Sequence, residues 1–254
     1  MTAKFSEALR LLTHHLGLFT AIILTVWLPG NILLNYIAYH VEEPSNMSFM
    51  GIMKATMWIE AIFGPIYIGA LVYALFQIKS GRPVTYQEAI GIGFKKWGSL
   101  FAARFVAGIL MGLGFIALVI PGVILAVRYS LLDAAVILES KGTSEARARS
   151  IELTTGRRWQ IFWAAVLFLV LFMVLGFAVY LPLDLIESLN IMPVEVALDC
   201  LLDVAYAFIQ IVIFLFYWEA TQDQRLAEQG GAPNDGLAAQ PGDSGVTEGP
   251  ASVS

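Results

Sequence analysis

The sequence predicts an all-α, polytopic integral membrane protein. Of its 254 residues, 58% are hydrophobic and only 14% are charged, and the mean hydropathy is +0.73. Soluble globular domains usually carry about 25% charged residues, so this chain lacks the charge to cover a water-exposed surface. Its apolar residues also gather in long runs, each near the roughly 20 residues that a helix needs to cross a bilayer. Composition and run length together predict about six transmembrane helices.

The apolar runs give the predicted helices in chain order. They cover residues 16–40, 56–78, 100–119, 123–138, 160–181 and 199–218. The pair Pro121-Gly122 separates the third run from the fourth, and such a pair neither continues a helix well nor resists a tight turn. We therefore expect Pro121 and Gly122 to form the tip of a helical hairpin.

Two polar segments flank the predicted six-helix domain, which covers residues 16–218. Residues 1–15 contain the stretch SEALRLL and predict an interfacial segment. Residues 219–254 are polar and, from about residue 229, are rich in Gly, Pro, Ala, Ser and Asp. This composition has too few apolar residues to offset the entropy of ordering, so we expect most of this tail to be disordered.

Lysine and arginine residues alternate between the predicted connections. They precede the first helix and lie between the second and third helices and between the fourth and fifth: Lys4, Arg10, Lys79, Arg82, Lys95, Lys96, Lys141, Arg147, Arg149, Arg157 and Arg158. The other loops are acidic or nearly bare of cations. Because basic loops are retained on the cytoplasmic side, we expect both termini to lie in the cytoplasm.

The basic connections share a pattern that suggests an internal repeat. Their segments SEALRLL, TYQEAIGIGFKKW and TSEARARSIELTTGRRW open alike, and two of them end in a doubled base and a tryptophan. Thr85 with Glu88 fits a capping box, and Thr143 or Ser144 fits the N-cap of a helix. We expect three related units, each an interfacial helix followed by a transmembrane hairpin.

One stretch of the chain resembles a known family. The string IPGVILAVRYSLLDAAVILESKGTSEARARSIELTTGRRWQIF is similar to the signature of the membrane domain associated with bacterial glycerophosphodiester phosphodiesterases and of related, largely uncharacterised polytopic membrane proteins. The matching positions are Pro121, Gly122, Arg128, Glu139, Gly142, Glu145, Ala146, Ser150, Leu153, Thr154, Gly156 and Trp159. The resemblance covers about one sixth of the chain. It implies a six-helix integral membrane fold in the bacterial inner membrane.

The same resemblance implies no defined activity. In such proteins the phosphodiesterase chemistry belongs to a separate barrel domain with clustered Glu, Asp and His metal ligands. The polar stretch after Trp218 is too short to be that domain. The candidate interfacial motif consists of Glu139, Gly142, Glu145, Ser150, Thr154, Gly156 and Trp159.

Six charged residues lie within the apolar runs, and four of them, Glu60, Arg104, Arg128 and Asp133, lie in the second, third and fourth runs. An arginine at mid-membrane costs about 2.5 to 3.5 kcal/mol on insertion scales, so it should face protein or a water-filled cleft. Arg128 and Glu60 lie at similar depths in their helices, and Arg104 and Asp133 face each other across the predicted hairpin. We expect two ties, Glu60 with Arg128 and Arg104 with Asp133. Either these ties fix helix packing, or Arg128 binds an anionic headgroup or solute in a polar cleft.

Catalytic and metal-binding patterns are not found in the sequence. The three histidines lie near the ends of the first helix, and no HExxH, paired-cysteine or phosphate-loop motif occurs. We expect no catalytic residue, metal or cofactor, and the net charge of −5 argues against a nucleic-acid partner. Asp199 and Asp203 lie four residues apart on one helix face. They form either an acidic pair at the outer end of a pathway or two solvated residues.

Three classes of function remain open. The first is an accessory or organising membrane protein, which the lack of catalytic groups and the resemblance both favour. The second is a small-solute transporter or lipid-handling protein that uses a polar cleft around Arg128. The third, an intramembrane enzyme, would need a nucleophile and a base that the sequence does not offer. The expected partner is the lipid bilayer with its anionic headgroups; segment 139–159 either lies on such lipid or docks a soluble protein at the cytoplasmic face.

Overall fold

A computed structural model describes residues 2–40, 49–186 and 191–230. Within these ranges the chain forms nine helices: α1 Thr2–His14, α2 Leu16–His40, α3 Phe49–Lys79, α4 Tyr86–Ala117, α5 Val119–Arg128, α6 Leu132–Leu138, α7 Thr143–Thr154, α8 Arg158–Leu185 and α9 Met192–Gly230. The described residues contain no strand. The predicted all-α class is therefore confirmed.

Six described segments are long and apolar enough to cross a membrane. They are Leu16–Tyr36, Thr56–Lys79, Tyr86–Ala117, Val119–Leu138, Arg158–Leu183 and Met192–Gln229. The predicted number of apolar helices is confirmed, but several helices extend beyond their apolar runs. Helix α4 begins early because Thr85 and Glu88 form the predicted capping box: the Glu88 N–H donates to Thr85 Oγ1 at 3.3 Å, and the Thr85 N–H donates to Glu88 Oε2 at 3.0 Å.

The predicted hairpin exists, but its tip is not at Pro121-Gly122. The chain reverses at Leu118, whose backbone is extended (φ −167°, ψ 149°) between α4 and α5. Pro121 and Gly122 belong to the first turn of α5. A proline fits there because the first N–H groups of a helix have no partner within it. A Cβ atom at Gly122 would collide with the ring of Phe115, so the glycine lets α5 pack closely on α4.

The second arm of this hairpin is broken, whereas the sequence predicted one continuous helix over residues 123–138. Helix α5 ends at Arg128, residues 129–131 form turns, and α6 begins at Leu132. Nearly every residue of α6 is buried, including Ala134, Ala135, Val136 and Ile137. This short helix therefore lies inside the bundle, next to α3, α4 and α7.

Small residues bring α3 and α4 into close contact. A Cβ atom at Gly69 would lie 3.1 Å from the Cα of Gly93, and one at Gly93 would collide with the carbonyl oxygen of Ile66. Such contacts between glycines are a usual way for membrane helices to associate. By contrast, α8 lies at the outside of the bundle, because only 6% of its apolar membrane-length stretch is buried.

The terminal segments pack on each other. Helix α1, within the predicted interfacial segment 1–15, buries Ala8 and Leu12 and contacts α9. Helix α9 continues to Gly230, so residues 219–230 of the predicted polar tail are helical. Ion pairs between Lys4 and Glu219 and between Arg157 and Asp223 hold this extension in place. Most of the segment predicted to be disordered, residues 231–254, lies outside the described residues.

Candidate functional site

The structure brings together the predicted pair Arg104 and Asp133. The Nε atom of Arg104 in α4 lies 4.0 Å from Oδ1 of Asp133 in α6. The Nη1 atom of the same arginine is buried and has no hydrogen-bond partner. One side of the Arg104 guanidinium is therefore paired, and another side still has donor capacity.

The second predicted tie, between Glu60 and Arg128, is wrong. Glu60 lies beside Arg104 instead, and both line a small cavity of about 220 Å³ between α3 and α4. Arg128 ends α5, which packs against α4, α7 and α8. Equal depth in the sequence did not bring the two residues together because α5 does not pack on the Glu60 side of the bundle.

A cavity of about 390 Å³ lies between α4, α5, α6, α8 and α9, hereafter the central cavity. Five of its 22 lining residues carry polar groups, namely Arg104, Tyr129, Ser130, Asp133 and Gln210. The other walls are aliphatic or aromatic, as Met111, Phe115, Val123, Ile161 and Leu169 illustrate. Apolar walls with a few polar groups are the usual lining of a small-molecule pocket.

A second concave surface lies between α5 and α8, hereafter the lateral groove. It encloses about 610 Å³ and is lined by nine residues: Val119, Ile120, Val123, Ile124, Val127, Arg128, Arg158, Trp159 and Phe162. The Nε atoms of Arg128 and Arg158 are both buried and without a partner. Trp159 is 73% exposed at the start of α8. The groove thus combines two arginines with an apolar wall and no carboxylate among its nine lining side chains.

Ser150, a residue of the candidate motif, holds the break between α5 and α6. Its hydroxyl donates to the carbonyl oxygen of Arg128 at 2.7 Å and accepts from the N–H of Leu131 at 3.2 Å. The Ser150 side chain is completely buried. The Ser150 hydroxyl therefore satisfies two backbone groups at the helix break, the carbonyl oxygen of Arg128 and the N–H of Leu131. These bonds fix the backbone at the end of α5, from which the Arg128 side chain extends to the lateral groove.

Glu139, another motif residue, is the centre of an ionic network. Its carboxylate accepts from Arg149 Nε at 3.1 and 3.0 Å and from the Tyr217 hydroxyl at 2.9 Å, and Lys141 Nζ lies 3.4 Å away. Arg149 also donates through Nη1 to Glu152 at 3.0 Å. The bonds from Glu139 tie α7 and α9 to the end of α6.

The network shifts the pKa values of the half-buried Arg149 and the exposed Glu152 in opposite directions. The hydrogen bond from Arg149 lowers the pKa of Glu152 below its ordinary value. Burial opposes the charge of Arg149, but its bonds to Glu139 and Glu152 outweigh burial and raise the pKa of its guanidinium. Both pKa shifts favour the charged forms of Arg149 and Glu152, so the ion pair between them is stable near neutral pH.

The remaining motif residues shape helix α7 and its ends. Gly142, not Thr143 or Ser144, occupies the N-cap, and Glu145 lies in the first turn. Thr154 is buried, and its hydroxyl donates to the carbonyl oxygen of Ile151 at 3.0 Å. Gly156 has a φ of +81°, which favours glycine, and it turns the chain from α7 into α8. Of the seven residues of the predicted interfacial motif, Ser150 and Thr154 are buried and Glu139 is half-buried, whereas the other four are exposed: Gly142, Glu145, Gly156 and Trp159.

The sequence missed a polar cluster between α2 and α9. The side-chain amide of Asn31 donates to Asp203 at 2.7 Å, and that of Asn35 donates to Asp199 at 2.8 Å. The Tyr180 hydroxyl also donates to Asp199. The two aspartates are thus acceptors between helices. The spacing of these residues could have predicted the cluster: Asn31 and Asn35 lie four positions apart on one face of α2, and Asp199 and Asp203 do the same on α9.

Comparison with known proteins gives distant membrane-protein relatives. The chain is 24% identical over 193 residues to a UPF0259 membrane protein of Yersinia pestis (strain Pestoides F), covering 74% of this chain and 72% of the relative. A UPF0259 membrane protein of Yersinia pseudotuberculosis serotype O:1b (strain IP 31758) matches to the same extent. No family model and no solved structure matches the chain. The resemblance to the phosphodiesterase-associated membrane domain is therefore unsupported, and the similarity is to an uncharacterised family of bacterial polytopic membrane proteins.

Proposed function

We propose that the protein is a lipid-binding accessory protein of the bacterial cell membrane, with both termini in the cytoplasm and no reaction of its own. The observation that carries this proposal is the central cavity. Its volume of about 390 Å³ lies in the range of natural ligand pockets, and its walls are apolar except around Arg104, Asp133 and Gln210. That division suits an amphiphile, whose apolar part contacts the walls and whose polar part meets the charged pair.

The contacts of the polar groups around the cavity support a binding role. Ser130 donates to the carbonyl oxygen of Val127 at 2.8 Å, and Arg104 faces Asp133 through Nε. The buried Nη1 atom of Arg104 has no partner in the protein and can donate to the polar part of a bound ligand. The distribution of lysine and arginine among the connections supports the proposed orientation.

The test fills the cavity and measures the bound lipid. Ala164 in α8 lines the central cavity and is 2% exposed, so Ala164→Phe places a ring in the cavity space. The matched control is Leu171→Phe on the same helix, at a position that is 52% exposed and outside the cavity lining. Native mass spectrometry from mild detergent, followed by lipid extraction, gives the amount of lipid per protein.

We expect the amount of co-purified lipid to fall several-fold in Ala164→Phe and to stay at the wild-type level in Leu171→Phe. Both variants must first elute as the wild type does in size-exclusion chromatography. Equal lipid content in the three proteins would refute the proposal. Thermal unfolding in the presence of added lipid gives a second readout, because a ligand that binds the folded state raises its stability.

A further inference from the structure

We infer that the lateral groove binds the phosphate of an anionic phospholipid headgroup through Arg128 and Arg158. The inference rests on the proposed lipid-binding function, but it concerns a different surface and different residues. Phosphate suits this pair because a guanidinium offers several N–H donors in a planar fork that matches phosphate oxygens. Arginine side chains between membrane helices near the basic side of a protein are a known way of holding acidic headgroups.

The charge of the groove points to an anionic ligand. Arg128 and Arg158 line the same groove, and the other seven lining residues are aliphatic or aromatic. Two like charges in a partly apolar site repel each other unless an anion lies between them. The Nε atoms of both arginines are buried without a partner, and unmade hydrogen bonds of buried charged groups are costly.

The nearby carboxylates do not supply that anion. Glu139 pairs with Arg149 and Lys141, and Glu152 pairs with Arg149 and accepts from Gln224 at 2.9 Å. Asp223 pairs with Arg157, the residue next to Arg158. Glu139, Glu152 and Asp223 are therefore paired with other groups, and Glu145, exposed in the first turn of α7, does not line the groove. None of these four carboxylates is paired with Arg128 or Arg158.

Local structure holds both arginines at the groove. The bond from Ser150 to the carbonyl oxygen of Arg128 fixes the end of α5. Arg158 is the first residue of the 28-residue helix α8, and its Nη2 atom donates to Thr155 Oγ1 at 3.2 Å. The first N–H groups of α8 receive no side-chain cap from Arg157, so the positive end of the helix dipole adds to the attraction for an anion.

The apolar part of the groove favours a lipid over a free anion. Trp159 is exposed at the start of α8, and tryptophan is enriched at the level of lipid headgroups. Val123, Val127 and Phe162 line the lateral groove and also the central cavity. An amphiphile whose phosphate lies at the arginines therefore finds continuous apolar surface beside it, which inorganic phosphate would not use.

The experiment measures headgroup preference with matched charge changes. Purified, delipidated protein in mild detergent is titrated with phosphatidylglycerol, with phosphatidylcholine of the same acyl chains, and with inorganic phosphate, and binding is followed by native mass spectrometry. The variants are Arg128→Gln, Arg158→Gln and the double variant. Arg82→Gln is the control, because it removes the same charge from an exposed arginine in the connection between α3 and α4.

We expect the wild type to bind phosphatidylglycerol more tightly than phosphatidylcholine. Each single variant should lose about tenfold in phosphatidylglycerol affinity, as expected when one charge-assisted hydrogen-bonding group is removed. The double variant should show no headgroup preference, and Arg82→Gln should behave as the wild type. Arg128→Lys should keep part of the preference, since it retains the charge without the planar fork.

Three outcomes would overturn the inference. The first is equal binding of both lipids by the wild type, and the second is a preference that survives in the double variant. The third is binding of inorganic phosphate that depends on both arginines without any preference between the lipids, which would assign the site to a free anion. If Arg128→Gln does not fold, Arg158→Gln carries the same test, because Arg158 lies in the first turn of α8 rather than at the helix break.

The result is separable from that of the cavity test. Ala164→Phe fills the central cavity but leaves both arginines in place, so its headgroup preference should persist even as its total bound lipid falls. The arginine variants should lose the preference but still take up phosphatidylcholine. Loss of one property without the other therefore shows which of the two proposals has failed.

Discussion

Two regions that adjoin helix α7 use arginine in opposite ways. At the junction of α6, α7 and α9, Arg149 donates to Glu139 and Glu152, and Glu139 also accepts from Tyr217. In the lateral groove, Arg128 and Arg158 line one surface without a carboxylate among the lining side chains. Burying an ion is costly unless it is paired. The comparison indicates that an arginine paired with carboxylates, such as Arg149, holds helices together. An arginine without a carboxylate partner, such as Arg128 or Arg158, is available to bind an anionic ligand.

The largest effect should come from removing the centre of the paired region. Glu139→Leu leaves Arg149 and Lys141 without their shared carboxylate and the Tyr217 hydroxyl without its acceptor. We expect a loss of about 2 to 4 kcal/mol in the free energy of unfolding, because the partly buried Arg149 keeps only the exposed Glu152 as a partner and the Tyr217 hydroxyl loses its bond to Glu139. Unfolding in mixed micelles titrated with sodium dodecyl sulfate measures this change.

The control for this variant is Glu145→Leu in the first turn of α7, where the carboxylate is exposed. Its loss should stay under about 1 kcal/mol, the usual contribution of an acid near a helix N-terminus. Equal losses in the two variants would mean that the network around Glu139 adds nothing to the stability of the fold.

Ser150 connects the two regions, and its removal should affect both. Ser150→Ala leaves the carbonyl oxygen of Arg128 and the N–H of Leu131 without their common partner. We expect a loss of about 1 to 3 kcal/mol in stability, the cost of buried groups left unsatisfied. The preference for phosphatidylglycerol should weaken as well, since Arg128 loses the contact that fixes its backbone.

The matched substitution is Ser144→Ala on the exposed side of α7, which should change stability by less than about 0.5 kcal/mol. A Ser150→Ala variant that keeps full headgroup preference while losing stability would show that the hydroxyl supports the fold only, and that Arg128 does not depend on it for its place in the groove.

A direct comparison of the two kinds of arginine should give a smaller effect. Arg149→Gln should cost about 1 to 2 kcal/mol because it breaks bonds to two carboxylates. Arg158→Gln should change stability by less than about 0.5 kcal/mol in lipid-free detergent, since it removes one of two neighbouring positive charges. A large loss in Arg158→Gln would indicate a structural role and remove the contrast between the two regions.

The parts of the site that the sequence predicted are local in the chain. Arg104 and Asp133 were expected to meet because they lie on the two arms of one hairpin, and short connections leave little choice of neighbour. The pairing of Glu60 with Arg128 was wrong because equal depth does not determine which helices pack together, and α5 packs against α4, α7 and α8 rather than beside Glu60. The sequence also did not predict the break after Arg128. That break depends on Ser150, which lies 22 residues further along the chain.

The missed contacts are those between distant segments with weak polar signals. Tyr217 reaches Glu139 across 78 residues, and Asn31 reaches Asp203 across 172. Neither tyrosine nor asparagine interrupts an apolar run strongly enough to be noticed, while a charged residue does. Hydropathy therefore predicted the number of membrane-length apolar segments and the charged residues within them. It could not predict which neutral donors would bind those charges, because that depends on how the helices pack.

The smallest predicted effect is a pH dependence within the paired region. Arg149 lowers the pKa of Glu152 below its ordinary value of 4.5, so the folded protein holds the proton more weakly than the unfolded chain does. The stabilisation from this pair is then complete above about pH 4.5 and is lost as the pH falls through the lowered value. Because the side chain of Glu152 is 58% exposed, we expect only about 0.5 kcal/mol. The measurement is the difference in unfolding free energy between wild type and Glu152→Gln from pH 6 to pH 3, which should shrink on acidification. In an Arg149→Gln background the same difference should be much smaller and nearly independent of pH, and a constant difference in the wild-type background would show that Arg149 and Glu152 do not interact in solution.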